Sequence, residues 1–410
     1  MAIRFSENRT IGPFLGRTRI AYLTMEIAIR SEMHTYSGGL GVLAGDTARS
    51  CADLDLPIVF VSLISRQGYL RQEIGADGAQ IEHPDPWEPR DFATPLRAKV
   101  AVLIANREVW VRPWLYVIES PLSQRVPVLL LDTDLDENHP EDRRITDTLY
   151  GGDSAYRLKQ EIVLGVCGVR MLAALGFNVE TYHLNEGHAA LLPLDLLRRF
   201  PRPADQIKPG ELHYDVGRVR ENCIFTTHTP VEAGHDRFSY ELVTELLGGY
   251  FDIEQFKLLA GEDSLNMTLL ALKLCGYING VALRHAETTQ RMFPGYKIRA
   301  ITNGIHPPTW IHPALRELFN RHFPSWGHEP ELLAQVDQLP SERISYAHTA
   351  AKRDLLKLVE STTGQSLDLD KPIIGYARRM TAYKRPELLF SDLARLRHLA
   401  RTHPFQVVIE

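Results

Sequence analysis

Short apolar, β-branched runs punctuate this chain at residues 20–24, 57–63, 100–104, 126–131, 180–184, 223–227, 298–302, 373–376 and 405–409. Between them, residues 154–175, 187–200, 265–274, 342–360 and 387–400 carry apolar residues at three-to-four spacing, the period of an amphipathic helix. Strands alternating with helices predict parallel sheets covered on both faces, an α/β architecture of the doubly wound kind. A Pro- and His-rich stretch, 303–313 (NGIHPPTWIHP), interrupts the alternation and reads as a hinge between two such domains. The second then holds strand 373–376, helix 387–400 and strand 405–409. A half-wound sheet leaves an open apolar edge, so the expectation is that this domain is incomplete in the chain.

Charge narrows the function classes. Forty-six Lys and Arg stand against fifty-one Asp and Glu, a net charge of −5, which gives no strong field for nucleic acid or an anionic bilayer. Cys51, Cys167, Cys223 and Cys275 are far apart, with no CxxC pair, and suit a reducing compartment better than a disulfide framework. No run approaches the ~18 apolar residues of a membrane-spanning helix. The expectation is a soluble, cytoplasmic protein.

Three clusters could carry chemistry. The first, 36–46 (YSGGLGVLAGD), is a glycine-rich turn opening a helix after strand 20–24. Backbone N–H groups there can approach an anion, as in phosphate cradles, although a tight turn with close helix packing produces the same pattern. The second, 373–386 (IIGYARRMTAYKRP), places Arg378, Arg379, Lys384 and Arg385 directly after a strand, with Pro386 at the start of the next helix. Cations at a strand's carboxyl end suit an anionic ligand, and a solvated basic turn is the alternative. The third comprises His183, Asn185, Glu186 and His188, then His228 and His235, with Asn303 and Gly304 after a further strand. Its spacing is neither HExxH nor a zinc-finger pattern, so a sugar or small-ligand cleft is preferred to a metal-dependent hydrolase built on His183, Glu186, His188 and His228. No GxSxG elbow, Walker loop or GxGxxG fingerprint occurs.

The blocks IAYLTMEIAIRSEMHTYSGGLGVLAGD, RLKQEIVLG, HLNEGHAAL, FTTHTPVEAGHDRF, INGVALRHAE, ITNGIHPPTW and YARRMTAYKRPEL, in this order, resemble the α-glucan phosphorylases (glycogen, starch and maltodextrin phosphorylases), especially the shorter bacterial type. The resemblance implies a GT-B fold of two Rossmann-like domains: an N-terminal glucan-binding domain over 1–302, then hinge and part of a cofactor and phosphate domain over 303–410. It implies phosphorolysis of α-1,4-glucans to glucose 1-phosphate, with pyridoxal phosphate acting through its own phosphate. By motif, Gly38 and Gly39 correspond to amides facing phosphate, and Arg379 and Lys384, with Arg378 beside them, to the cationic clamp. His228 corresponds to the residue meeting the glucosyl unit, Asn303 to a sugar-hydroxyl ligand and Trp310 to the aromatic near the cofactor. Glu186 and His188 fall in the substrate cleft, and Glu26 is a cleft acid without an assigned role. The family's cofactor-anchoring lysine lies in a Gly-rich segment whose pattern this sequence lacks; Lys371 and Lys384 do not match it. Family members are often dimers, which the resemblance extends here to a homodimer. Two other readings stay open: a glucan-binding fragment without full catalytic equipment, and a nucleotide-sugar-dependent glucan synthase of the same fold. The synthases typically carry Lys before the glycine pair, where this chain has Tyr36 and Ser37.

Overall fold

The computed structural model describes residues 10–409 except Leu122, Glu232, Ala233, Arg379, Thr381 and the side chain of Tyr383. The chain forms two compact units, one ending at His306 and the other beginning at Pro307. In the first, β1 (Ile20–Thr24), β2 (Ile58–Leu63), β3 (Thr94–Pro95), β4 (Val100–Ile104), β5 (Arg107–Glu119), β6 (Arg125–Asp132), β7 (Thr181–Asn185), β8 (Cys223–Thr227), β9 (Tyr277–Gly280) and β10 (Arg299–Ala300) build one sheet. Its order is β10-β9-β8-β7-β1-β2-β6-β5-β3, with β4 paired to β5. The stretch from β10 to β6 is parallel, while β3, β4 and β6 meet β5 antiparallel.

Both faces of the sheet are covered, which is why β2 reads as an almost uninterrupted apolar run, IVFVSL, rather than an alternating one. Side chains alternate along β2, so Val59, Val61 and Leu63 enter one core and Ile58 and Phe60 the other. Helix α1 (Gly39–Asp53) closes the second core with Ala44, Ala48, Cys51 and Ala52. Helix α2 closes the first; it runs from Ser154–Ile162 through a π turn, Val163–Cys167, into Gly168–Leu175. Small residues set the approach of α1. A Cβ on Gly45 would stand 2.0 Å from the Ala28 carbonyl oxygen.

Several elements depart from the sequence reading. The antiparallel strand β5 was not expected, because Pro113 interrupts its run. Here Pro113 lies opposite Leu131, and its carbonyl accepts the Leu96 N–H at 2.9 Å, so the missing donor costs the ladder little. The helix expected over 265–274 begins at Met267, since Asn266 accepts the Leu269 N–H as its cap (3.0 Å). Strand 298–302 shortens to Arg299–Ala300. The helix expected over 187–200 becomes a 3₁₀ turn, Gly187–Ala189, followed by α3 (Leu191–Leu197).

The second unit contains helix α4 (Ser341–Thr363) and a parallel pair, β11 (Ile373–Tyr376) and β12 (Gln406–Ile409). Helix 387–400 divides into a 3₁₀ segment, Pro386–Phe390, and α5 (Leu393–Thr402), because Asp392 starts a new helix by accepting the Arg395 N–H at 2.9 Å. Among the described residues no helix is long and apolar enough to cross a membrane.

The packing of α1 yields a test. Gly45→Ala is expected to lower the unfolding free energy by about 1–3 kcal/mol, the usual cost of overpacking against backbone. An unchanged urea midpoint would show that α1 can shift to accept the methyl group.

Candidate active site

The parallel strands β1, β7, β8 and β9 deliver Thr24, Asn185, Thr227 and Gly280 to one edge of the sheet, the carboxyl edge where open α/β sheets bind ligands. A hydrogen-bond chain runs from Thr24 through Asn185 to His228. The Thr24 hydroxyl donates to the Glu26 carbonyl (2.8 Å) and accepts from Asn185 Nδ2 (3.0 Å). That fixes the amide so that Asn185 Oδ1 faces His228 Nε2 at 2.6 Å. An acceptor on Nε2 places the ring proton there and leaves Nδ1 as the basic nitrogen. Burial depresses the His228 pKa further than Glu186 raises it, with His285 adding to the depression, so the ring is a neutral acceptor at pH 7.

Glu186 ties two strand ends together. Its Oε2 accepts the His228 N–H (2.8 Å) and the Thr229 hydroxyl (3.0 Å), and its Oε1 accepts the Gly187 N–H (3.2 Å). Burial opposes its charge, but the neighbouring His228 and His188 and these donors outweigh burial and hold its pKa below the ordinary carboxylate value. Its backbone sits at φ 68°, a left-handed conformation unfavourable for a non-glycine residue and sustained here by those bonds.

The glycine-rich turn combines both readings of its sequence. Gly41 and Gly45 are packing glycines: a Cβ on Gly41 would meet Tyr36 Cβ at 2.5 Å and Glu26 Oε2 at 2.8 Å. Gly38 and Gly39 differ, since a Cβ on either would have no atom within 4 Å, and Gly38 is extended at φ −177°. Neither packing nor backbone conformation calls for glycine at these two positions; close approach by a ligand would. The Gly38 N–H and the Ser37 N–H both donate to Glu26 Oε2, at 3.2 and 2.6 Å, and the Tyr150 hydroxyl donates to Oε1 at 2.9 Å. Burial pushes Glu26 above its normal pKa although these donors pull it down.

Beneath the site lies a charged cluster that the sequence reading passed over. Arg157 donates to Glu161 Oε1 (3.2 Å) and Asp236 Oδ2 (3.0 Å), and its guanidinium lies 4.3 Å from the Tyr150 ring centre. Burial, reinforced by Asp236, drives Glu161 well above the usual range, although Arg157 pulls it down. Asp236 is held below its normal value: burial opposes this, but His188 and Arg157 prevail. His188, lowered to about 4 chiefly by burial, has Nε2 3.5 Å from Asp236 Oδ2, while its buried Nδ1 has no partner. The helix pattern of RLKQEIVLG contained the one sign of this cluster, a Glu on the side of α2 that faces the core.

The remaining candidates fall elsewhere. His183 is a sheet residue: its Nε2 donates to Thr226 Oγ1 (2.8 Å), which donates to Asn279 Oδ1 (2.9 Å). His235 stacks on Phe293 and its Nε2 contacts the Thr229 carbonyl at 3.2 Å. Among the described residues no group of three or more His, Cys, Asp or Glu is arranged to hold a metal ion. Asn303 is exposed, its N–H bonded to the Val281 carbonyl just after β9 (3.0 Å). In the second unit Trp310 is exposed. Arg378 and Lys384 line a cleft of about 620 Å³ with Tyr376, Arg385 and Arg395, a donor set that suits a phosphate group such as that of pyridoxal phosphate. Arg379 lies outside the described residues.

The sequence is 35% identical to the maltodextrin phosphorylase of Thermococcus litoralis over 93% of this chain and 49% of that protein. It is 32% identical to the glycogen phosphorylase of Mycobacterium bovis over 96% of this chain and 51% of the relative. The chain belongs to the α-glucan phosphorylase family. An uncharacterized protein of Methanocaldococcus jannaschii is 31% identical over 95% of this chain and 69% of its own length. The chain spans about half the length of the two curated phosphorylases, and no family model matches it.

Within this phosphorylase-family site, removing the Asp236 charge should cost more than removing the Glu161 acid. Asp236→Asn is expected to lower stability by about 1–3 kcal/mol, because Arg157 and His188 lose a charged acceptor. Glu161→Gln, which keeps the shape and an oxygen for Arg157, should change it by less than about 1 kcal/mol; urea unfolding of both variants checks the order. The pH dependence follows from His188, which burial lowers to about 4 in the folded chain from the 6.5 of a free histidine. The unfolded chain protonates first, so the contribution of His188 is complete above pH 6.5 and lost as pH falls toward 4. Relative to His188→Gln, the parent should lose roughly 1.4 kcal/mol per pH unit in that window. Parallel unfolding curves would assign His188 an ordinary pKa.

Proposed function

We propose that the protein catalyses phosphorolysis of α-1,4-glucans, releasing glucose 1-phosphate from the chain end, on a GT-B scaffold with domains at 1–302 and 303–410. The observation that carries this reading is the oriented, neutral His228 on the same sheet edge as the open Gly38–Gly39 turn, in a chain of the phosphorylase family. His228 Nδ1 accepts a sugar hydroxyl and holds the terminal glucosyl unit, and the Asn303 amide supplies a further sugar contact. A phosphate oxygen then forms a bond to C1 as the bond from C1 to the glycosidic oxygen breaks. The leaving 4-hydroxyl takes the proton that the hydrogen phosphate carries. The first-turn N–H groups of α1 offset the negative charge of the phosphate; in the second unit Arg378 and Lys384 line a cleft whose donors suit a phosphate group. When bound, pyridoxal phosphate supplies a phosphate that exchanges protons with the substrate phosphate, and Arg378, Lys384 and Trp310 would hold it. Four buried free cysteines suit a cytoplasmic enzyme.

The decisive assay measures glucose 1-phosphate release from maltoheptaose and inorganic phosphate, with and without added pyridoxal phosphate. Release is expected, and His228→Ala and Arg379→Ala should each lower kcat/KM by about 10²–10³-fold. No release, with maltoheptaose still raising the melting temperature of the chain, would replace this reading with glucan binding alone.

A further inference from the structure

Two turns border the site. The one before α1 has no side-chain N-cap and open space around Gly38 and Gly39. The one before α2 passes through Tyr150 at φ 57° and Gly152 at φ 73°, both left-handed, before Asp153 caps the helix by accepting the Tyr156 N–H at 2.9 Å. We propose that Glu26 is a positioning residue that staples these two turns together and so sets the phosphate-binding amides of α1. The proposal rests on the phosphorolysis reading.

The geometry is that of a two-sided clamp. One carboxylate oxygen receives the Ser37 N–H, the Gly38 N–H and, at 3.3 Å, the Ser37 hydroxyl; the other receives the Tyr150 hydroxyl. Glu26 is itself fixed, being 3% exposed and holding the Thr24 hydroxyl on its carbonyl. Tyr150 is fixed by Arg157 against its face and the His188 ring at its edge, 5.7 Å between centroids. Because Glu26 occupies the N–H groups of Ser37 and Gly38, an arriving anion meets those of Gly39, Leu40 and Gly41. These three have no acceptor within the helix. The carboxylate therefore decides where the first turn of α1 points, not whether it carries donors. A glutamine could do the same work, with Oε1 on the two amides and Nε2 donating to the Tyr150 oxygen.

The test uses Glu26→Ala, Glu26→Gln and Tyr150→Phe in the full chain, read by steady-state phosphorolysis of maltoheptaose and by backbone amide exchange over residues 33–43. Glu26→Ala is expected to raise the KM for phosphate about tenfold while that for maltoheptaose moves less than about twofold. Glu26→Gln should return the phosphate KM to within about threefold of the parent. Tyr150→Phe, which removes one hydroxyl and keeps the packing, should speed exchange at residues 36–40 without any change in that segment. An unchanged phosphate KM, an equal rise in both KM values, or a Gln variant as impaired as Ala overturns the proposal, as does unaltered exchange in Tyr150→Phe. If Glu26→Ala does not fold, Glu26→Gln and Tyr150→Phe still decide. A parent that binds maltoheptaose without phosphorolysis overturns the underlying reading and with it the phosphate role, and amide exchange then decides the staple alone.

Discussion

A single buried carboxylate, that of Glu186, holds the carboxyl edge of the sheet in register. Parallel strands end without turns to join them, so their last residues need another means of being set relative to one another. Glu186 provides it by reaching from the end of β7 to the backbone of His228 and the hydroxyl of Thr229 after β8. The left-handed backbone it adopts is unfavourable by itself, of order 1–3 kcal/mol, and persists because several charge-assisted bonds over-determine it. Everything that gives His228 one tautomer depends on this register: Asn185 must face the ring, and Thr24 must face Asn185.

Electrostatically the site is layered. The histidines nearest the ligand side are neutral because burial outweighs their anionic neighbours, which keeps them acceptors suited to hydroxyl groups. Besides the Glu186 carboxylate, charge lies in the cluster below, where Arg157 stands between Glu161, raised by burial, and Asp236, held low by His188 and Arg157. In the second unit cations are gathered on the loop after β11, where Arg378, Lys384 and Arg385 line one cleft.

The central strands were legible because burial on both faces writes an uninterrupted apolar run, as in IVFVSL. Strand β5 was not, since one proline masked a ladder that runs on either side of it. At the site, residues at strand ends stood out because polar side chains directly after apolar runs are unusual, and Glu186 and His228 are joined through the His228 N–H, while His188 turns to Asp236. Tyr150, Arg157 and Asp236 were invisible for the opposite reason: polar residues in helical or loop sequence look like a solvated surface, and only the fold reveals that Arg157 sits between buried acids. Glu26 could be recognised as an acid in the cleft, but its partners, a backbone turn and a tyrosine hydroxyl far along the chain, leave no local pattern.

The last residue of the first unit is anchored to the far part of α1. The His306 N–H donates to Asp46 Oδ2 (3.1 Å), and its ring Nε2 lies 2.9 Å from Asp53 Oδ2, which belongs to the helix's final residue. Asp53 is braced in turn by the Ser120 hydroxyl (2.5 Å). The polypeptide thus leaves this unit from the end of a rod about 22 Å long whose other end is the glycine turn. Tension on the linker is delivered along that rod, so the glycine turn is mechanically continuous with the chain that leads into the second unit.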